Sequence, residues 1–288
     1  MILVTSAYGN VGRHIVPQLI KKGLSVRAMD INPAAKQLKA MGVQEVVIAD
    51  ASKQENMEQA MKGCSQVLYV PPMFTYIETQ MARTAIDCAV KLGIEQFVML
   101  SVTHSNMSTL LQHTQKLKAE EYLVYAGLEH HLNYTILQPM HYNHNFDVAA
   151  VASSNTYFSF YDINTKLSYV DCEDVGEVCA KILTEDGHQN ATYELSGSDF
   201  HSPCDLVNVY NELTGSHAQA AHIDVEEFLD MIHLQDSYGR ECFRRLADTY
   251  SRYGIAGNAN VLTWLLGRRP VSFADYVKRE LERAGGNA

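Results

Sequence analysis

The chain has 288 residues, 47% of them apolar and 19% charged, enough for one large α/β domain or a domain with a smaller lobe. Its formal charge of −10, with Lys116/Lys118 and Arg268-Arg269 occurring as pairs rather than in a basic stripe, argues against direct binding to nucleic acid. No apolar run is long enough to span a bilayer and Met1 leads straight into a strand pattern, so neither a membrane anchor nor a targeting segment is expected.

Strand and helix patterns alternate from the start. Residues 1–5 form a short apolar run with β-branched members, followed by a turn through Ser6, Tyr8, Gly9, Asn10, Val11 and Gly12. Val11, Ile15, Val16, Leu19 and Ile20 then recur at helix spacing, which buries one face against a sheet. A buried strand, a glycine turn and a helix opening at the glycines favour a diphosphate, because unpaired N–H groups and the helix dipole converge there. Three glycines at a spacing of three would complete the dinucleotide fingerprint, and Ser6 stands at the first position without glycine's freedom at positive φ.

Residues 24–29 read as a second strand ending at Asp30, after which Asn32 caps a helix with Pro33 at its first position and Gly42 beyond its end. Residues 43–49 make a third strand closed by Asp50, and Ser52 with Glu55 forms a capping box for a helix ending near Gly63. A fourth strand over 66–70 is broken by Pro71-Pro72; a helix follows from about residue 75 to 92, then a fifth strand over 96–100. A helix ending near Gly127 precedes a sixth strand over 134–137. Beyond 150, residues 156–162 and 166–170 suggest a hairpin or two short strands, 174–183 a helix, 192–195 a strand and 218–223 a short strand in a mostly helical remainder.

This order predicts an α/β chain: a doubly wound parallel Rossmann-type sheet with helices on both faces over residues 1–150, and a smaller, mostly helical substrate lobe over 151–288, interleaved with the sheet edge. A lobe beyond the carboxyl ends of the strands would close a substrate cleft. Asp30 lies where a carboxylate accepts both adenosine ribose hydroxyls and repels a 2′-phosphate, which favours NAD(H) and leaves NADP(H) open through Arg13. Val70 and Pro71, after the fourth strand, border the cofactor by position; Ser101 and His104, after the fifth, lie near the nicotinamide. Pro139 leads a segment after the sixth strand whose backbone would hold the carboxamide, with His141 and Tyr142 on the substrate side. The spacing of His141 and His144 invites a metal, but no third ligand stands nearby, and six cysteines without a C-x-x-C pair read as reduced thiols of a cytoplasmic protein; no metal is expected.

Several phrases, in their order, resemble the NmrA-like family, an atypical branch of the short-chain dehydrogenase/reductase superfamily. They are Ile2-Leu3-Val4-Thr5 with Gly9 and Gly12, Val26-Arg27-Ala28, Phe97-Val98-Met99-Leu100-Ser101, and His113 with Lys116 before Glu120-Glu121-Tyr122-Leu123. Tyr134-Thr135-Ile136-Leu137-Gln138-Pro139, Thr192-Tyr193-Glu194-Leu195-Ser196-Gly197 and Leu266-Gly267-Arg268-Arg269-Pro270 complete the set. The resemblance implies NAD(P)H-dependent reductases, quinone reductases among them, or regulators that bind the dinucleotide without catalysis. It further implies that Asp50 contacts the adenine, that Lys116 binds the nicotinamide ribose, and that His113 faces the substrate. Family members preferring NADP carry an arginine just after the second strand, where this chain has Ile31 and Asn32. The connection over 128–133 is longer than the family's usual one.

The superfamily's usual acid is a tyrosine four residues before a lysine, yet none of the sixteen tyrosines has lysine at that distance; Gln112 stands four before Lys116. His113 and Lys116 share a helix face and become the catalytic candidates, the histidine as a proton donor. The leading reading is an NAD(P)H-dependent oxidoreductase acting on a small quinonoid or aromatic electrophile, with Tyr142, Phe146, Phe158 and Phe160 as cleft or core aromatics. A redox sensor that binds NAD(P) and a partner protein is the alternative, and a cofactor-assisted isomerase or lyase a third. A homodimer is compatible with each.

Overall fold

The computed structural model describes residues 1–285. In chain order the first elements are β1 (Ile2–Val4), α1 (Gly12–Lys21), β2 (Val26–Asp30), a 3-10 helix (Pro33–Met41), β3 (Glu45–Ile48), α2 (Gln54–Met61), β4 (Gln66–Tyr69), α3 (Glu78–Leu92), β5 (Gln96–Leu100), α4 (Leu111–His130) and β6 (Tyr134–Pro139). There follow β7 (His141–Tyr142), α5 (Val148–Ser154), β8 (Thr156–Ser159), β9 (Leu167–Val170), α6 (Cys172–Ile182) and β10 (Ala191–Leu195). The chain ends with β11 (Phe200–His201), α7 (Pro203–Thr214), β12 (Gln219–His222), α8 (Val225–Met231), α9 (Ser237–Tyr253), α10 (Asn260–Leu266) and α11 (Phe273–Gly285).

These elements form two compact units. One comprises Met1–Met107, Gln112–Pro139 and Cys172–Glu194; the other comprises Ser108–Leu111, Met140–Asp171 and the described residues from 195 to 285. The chain passes between the units after residues 107, 111, 139, 171 and 194, so the single boundary read at residue 150 is replaced by several, and residue 150 itself lies inside the second unit.

The first unit is built on a seven-stranded sheet in the order β10-β6-β5-β4-β1-β2-β3. Strands β1 to β6 pair in parallel, with Ile2 to Val4 of β1 flanked by Val26 to Ala28 on one side and Gln66 to Leu68 on the other. Alternate side chains go to opposite faces. Leu3, Met29, Val67, Phe97 and Ile136 pack into one core cluster with Met57 of α2, Ala82 and Ile86 of α3 and Leu123 of α4. The intervening Val4, Ala28, Leu68 and Val98 are equally buried, so helices cover both faces, as parallel sheets require. Away from that cluster α6 lies against α1 so closely that a side chain on Gly176 would sit 3.1 Å from the Ile15 backbone. The strand order reverses between β1 and β4, where ligands bind in such sheets.

The second unit holds a three-stranded sheet, β11-β9-β7, and a two-stranded one, β12-β8. The segments 156–162 and 166–170 therefore do not form a hairpin: β8 pairs in parallel with β12, and β9 joins β7 and β11. Phe146 is fully buried against Tyr157, Tyr210 and Phe273, which makes it core rather than cleft wall. Phe160 lies against Phe228 and Phe243, while Phe158 remains exposed.

Two local expectations are corrected and one is refined. Ser52 does not cap α2, because the Asp50 carboxylate takes the Ser52 N–H at 2.9 Å and the helix opens later, with Lys53 at its N-cap. The stretch after Asn32 is helical as expected, in 3-10 form, and Asn32 caps it through the Ala34 N–H. Helix α4 runs through Gly127 to His130, so half of the long 128–133 connection is helical. A side chain on Gly127 would strike the Tyr134 ring at 2.6 Å, and glycine here lets the helix continue past β6.

Candidate active site

The turn between β1 and α1 is shaped by its contacts with β2. Ala7 donates to the Met29 carbonyl at 3.2 Å, and the Tyr8 N–H donates to Asp30 Oδ2 at 2.8 Å. Ser6 adopts φ 45°, the conformation that glycine takes without strain, and the Gly9 N–H closes the turn on the Ser6 carbonyl at 3.0 Å. A Cβ on Gly12 would lie 2.4 Å from the Ser6 oxygen and 2.7 Å from that of Ala7, so only glycine lets the helix start this close to the strand. The N–H groups of Asn10, Val11 and Gly12 find no acceptor among the described residues. Three free donors at the positive end of a ten-residue helix fit a diphosphate.

Around this turn, the Tyr8 hydroxyl donates to Gln37 Oε1 at 3.0 Å, and the Arg13 guanidinium lies over the Tyr8 ring while donating to Asn10 Oδ1. Asp30 accepts the Asn32 N–H through its other oxygen at 2.9 Å. Each of its oxygens thus holds one backbone donor and keeps a lone pair for a ribose hydroxyl. Asp50 is held below the usual carboxylate range by its hydrogen bonds to Ser52, and that turn engages the oxygen Oδ1. Val70 is fixed by Thr5, whose hydroxyl accepts the Val70 N–H at 2.8 Å and donates to the Val70 carbonyl at 2.9 Å, tying the ends of β1 and β4 together at the reversal point. Pro71 follows, half-buried.

At the ends of β5 and β6 the polar groups are organised by a buried carboxylate. Glu120 accepts the hydroxyls of Ser101 and Ser105 and the Gln138 side-chain amide. Ser101 therefore spends its hydroxyl inward, and Thr103 N–H donates to the Pro139 carbonyl at 3.1 Å. His104 takes φ 54°, and its carbonyl accepts the His113 Nδ1–H at 3.0 Å. Burial pushes the His113 imidazole down to about 4, the Lys116 charge adding to the effect. The expectation that His113 titrates near neutrality does not hold: at pH 7 it is neutral, with its one N–H committed to His104.

Lys116 Nζ lies 2.5 Å from Glu78 Oε1, and the Glu78 side chain is only 2% exposed. Desolvation raises the Glu78 carboxyl, opposed by the Lys116 charge and hydrogen bond. Tyr69 is buried at the end of β4, and burial drives its phenol far up, the Glu78 charge adding to it.

His141 and Tyr142 belong to the second unit. The His141 ring meets the edges of Tyr169 and Tyr250, and the Asn145 amide lies 3.0 Å from its Nε2. Burial lowers it to about 4, with the His144 charge adding. Tyr142 stacks on His144. The first unit thus gathers Ser6, Tyr8, Gly9, Asn10, Val11, Gly12, Asp30, Asp50, Val70, Pro71, Ser101, His104, His113, Lys116 and Pro139 around the carboxyl ends of its strands.

As site residues, Thr5, Glu78 and Glu120 escaped the sequence reading. For the two glutamates a signal was there. Glu78 falls on the stripe of Met81, Ala82 and Ala85, and Glu120 on that of His113, Ala119 and Leu123, so each puts a carboxylate on the buried side of its helix.

A parallel sheet of this order, with a glycine turn opening α1 at its reversal point, defines a Rossmann-type α/β protein. The sequence profile of the NmrA-like family matches residues 1–273, and the chain belongs to that family. Quinone oxidoreductase 2 of Escherichia coli is 23% identical over 287 residues, covering 96% of this chain and 97% of the relative. An NAD(P)H azoreductase of Xenophilus azovorans is 24% identical with the same coverage. The crystal structure of a Citrobacter triphenylmethane reductase complexed with NADP(H) superposes with a TM-score of 0.80 at 20% identity, covering 96% of this chain and 99% of that one. None of the described helices is long and apolar enough to cross a membrane.

Proposed function

We propose that this protein is an NAD(P)H-dependent oxidoreductase that reduces a small quinonoid or aromatic electrophile. The observation that carries the proposal is the Gly9 and Gly12 turn with its three free N–H groups, bonded to Asp30 at the end of β2, in a sheet whose order puts β4 and β5, the strands before the Glu78–Lys116 pair, on the other side of β1. Relatives that reduce quinones and azo compounds over nearly the whole chain support the substrate class.

Bound NADH or NADPH would supply a hydride. The turn at 6–12 holds the diphosphate, Asp30 the adenosine ribose, Lys116 the nicotinamide ribose, and the Ser101 and Pro139 backbone the carboxamide edge. No protein acid has to touch the acceptor: hydride addition to a quinone gives a delocalised phenolate, which takes its proton from water. That chemistry suits a site without the usual tyrosine, and it leaves His113 to hold the His104 turn. His104 is assigned to the acceptor side.

Asp30 favours NAD(H), since a 2′-phosphate would meet its carboxylate. Titration calorimetry with NADH, NAD, NADPH and NADP tests this, followed by NADH oxidation with a substituted 1,4-benzoquinone and an azo dye. NADH is expected to bind tighter than NADPH, and Asp30→Ala to narrow that gap about tenfold. Tighter NADPH binding would transfer recognition to Arg13. Binding without turnover of either acceptor would favour a sensor that reports the nicotinamide redox state to a partner protein.

A further inference from the structure

The Glu78–Lys116 pair stands apart from the ion pairs at the surface. Glu78 lies in the first turn of α3 among buried residues, and a carboxylate there is costly unless it is paired. Its Oε1 receives Lys116; its Oε2, and the nearby Tyr69 hydroxyl, make no hydrogen bond among the described residues. Lys116 keeps 15% of its side chain exposed, so the ammonium sits at the boundary between this buried carboxylate and the outside. An ammonium has three N–H donors. One is on Glu78, and the other two meet no acceptor among the described residues.

The same helix ends are already joined without the pair. Thr79 donates its N–H to Gln115 Oε1 at 3.1 Å and its hydroxyl to the Gln115 carbonyl at 2.9 Å, and the Gln115 amide reaches the Tyr76 carbonyl at 3.2 Å. This clamp, one residue from each member of the pair, fixes α3 against α4. The ion pair is thus free to serve a different purpose. If Lys116 swung away to a ligand it would strand a buried charge, so it stays on Glu78 whether or not a ligand is bound.

We infer that Glu78 is a positioning residue: it holds the Lys116 ammonium so that its two remaining N–H groups point at the ribose hydroxyls of a bound dinucleotide. The inference rests on the dinucleotide reading above and adds a residue that acts only through Lys116. Holding a flexible lysine in its bound geometry removes part of the ordering cost of binding.

The test is a double-mutant cycle on the dissociation constant of whichever reduced dinucleotide the wild type binds tighter, read from the nicotinamide fluorescence. The proteins are wild type, Glu78→Gln, Lys116→Met and the double variant. Lys116→Met is expected to weaken binding about tenfold and Glu78→Gln nearly as much, with the double variant no weaker than Lys116→Met alone. Glu78→Gln should also raise KM for the dinucleotide and leave KM for the quinone unchanged. Equal losses from Glu78→Gln in the wild-type and Lys116→Met backgrounds would mean a purely structural role and overturn the inference. Wild-type affinity in Glu78→Gln would overturn it too. Wild-type affinity in Lys116→Met would refute the ribose contact while leaving dinucleotide binding intact. A wild type that binds no dinucleotide refutes the proposed function itself. Should Glu78→Gln not fold, Glu78→Asp replaces it in the cycle, since it keeps the charge but withdraws it from the ammonium.

Discussion

Gly12 and Ser6 meet at one carbonyl, and they respond oppositely to substitution. Gly12→Ala places a methyl 2.4 Å from the Ser6 oxygen, which the backbone relieves only by moving α1 away from β1. It should cost about 1–3 kcal/mol and weaken dinucleotide binding by at least tenfold, measurable by thermal unfolding and titration. Ser6→Gly removes a left-handed non-glycine residue and should raise the melting temperature by about 2 °C. His113 bears on pH. Its folded pKa of about 4 lies below the ordinary 6.5, so the unfolded chain binds the proton more readily. The neutral buried form therefore adds no pH dependence above about pH 6.5, and stability falls as pH drops from there towards 4, by on the order of 3 kcal/mol. Urea midpoints at pH 7 and pH 4.5 should show a smaller acid loss in His113→Asn than in the wild type; parallel losses would remove His113 from the account.

Between elements, Glu120 sets the geometry that the strand ends cannot set for themselves. One carboxylate on α4 gathers hydroxyls from the turn after β5 and an amide from β6. Glu120→Gln keeps the volume but turns an amide donor towards groups that donate, leaving buried polar atoms unpaired at about 1–3 kcal/mol. Denaturant unfolding should report that loss, and KM for the acceptor should rise because the 101–105 turn and Pro139 shift with it. Strand positions were legible in the sequence because a buried parallel strand is a short apolar run bounded by turn residues; 96–100 matches β5 residue for residue. Helix starts were less legible. Ser52 carries the chemistry of a cap, but Asp50 competes for its N–H, and only the folded turn decides which side chain wins. In the same way the sequence placed Ser101 after the fifth strand near the nicotinamide, and only the fold decides that its hydroxyl goes to Glu120.

At the scale of the whole molecule, the chain returns to the first unit after residue 171 to supply α6 and most of β10. A fragment of residues 1–150 lacks both, and so leaves Ile15 and Gln18 of α1 without the helix that packs on them at Gly176. Such a fragment is expected to lose cooperative thermal unfolding and dinucleotide binding together; a fragment that binds NADH as the full chain does would show that the returning elements are dispensable. By itself the sequence determined the alternation of strands and helices, the glycine turn, the carboxylate that ends β2 and the lack of any tyrosine four residues before a lysine, because periodicity, spacing and residue chemistry are local properties. Only the tertiary structure decided that His113 is neutral, that Ser101 faces inward, and that Lys116 rests on Glu78. Burial, and hydrogen-bond partners as distant as Glu78 is from Lys116, set protonation and orientation, and neither is fixed until the helices pack.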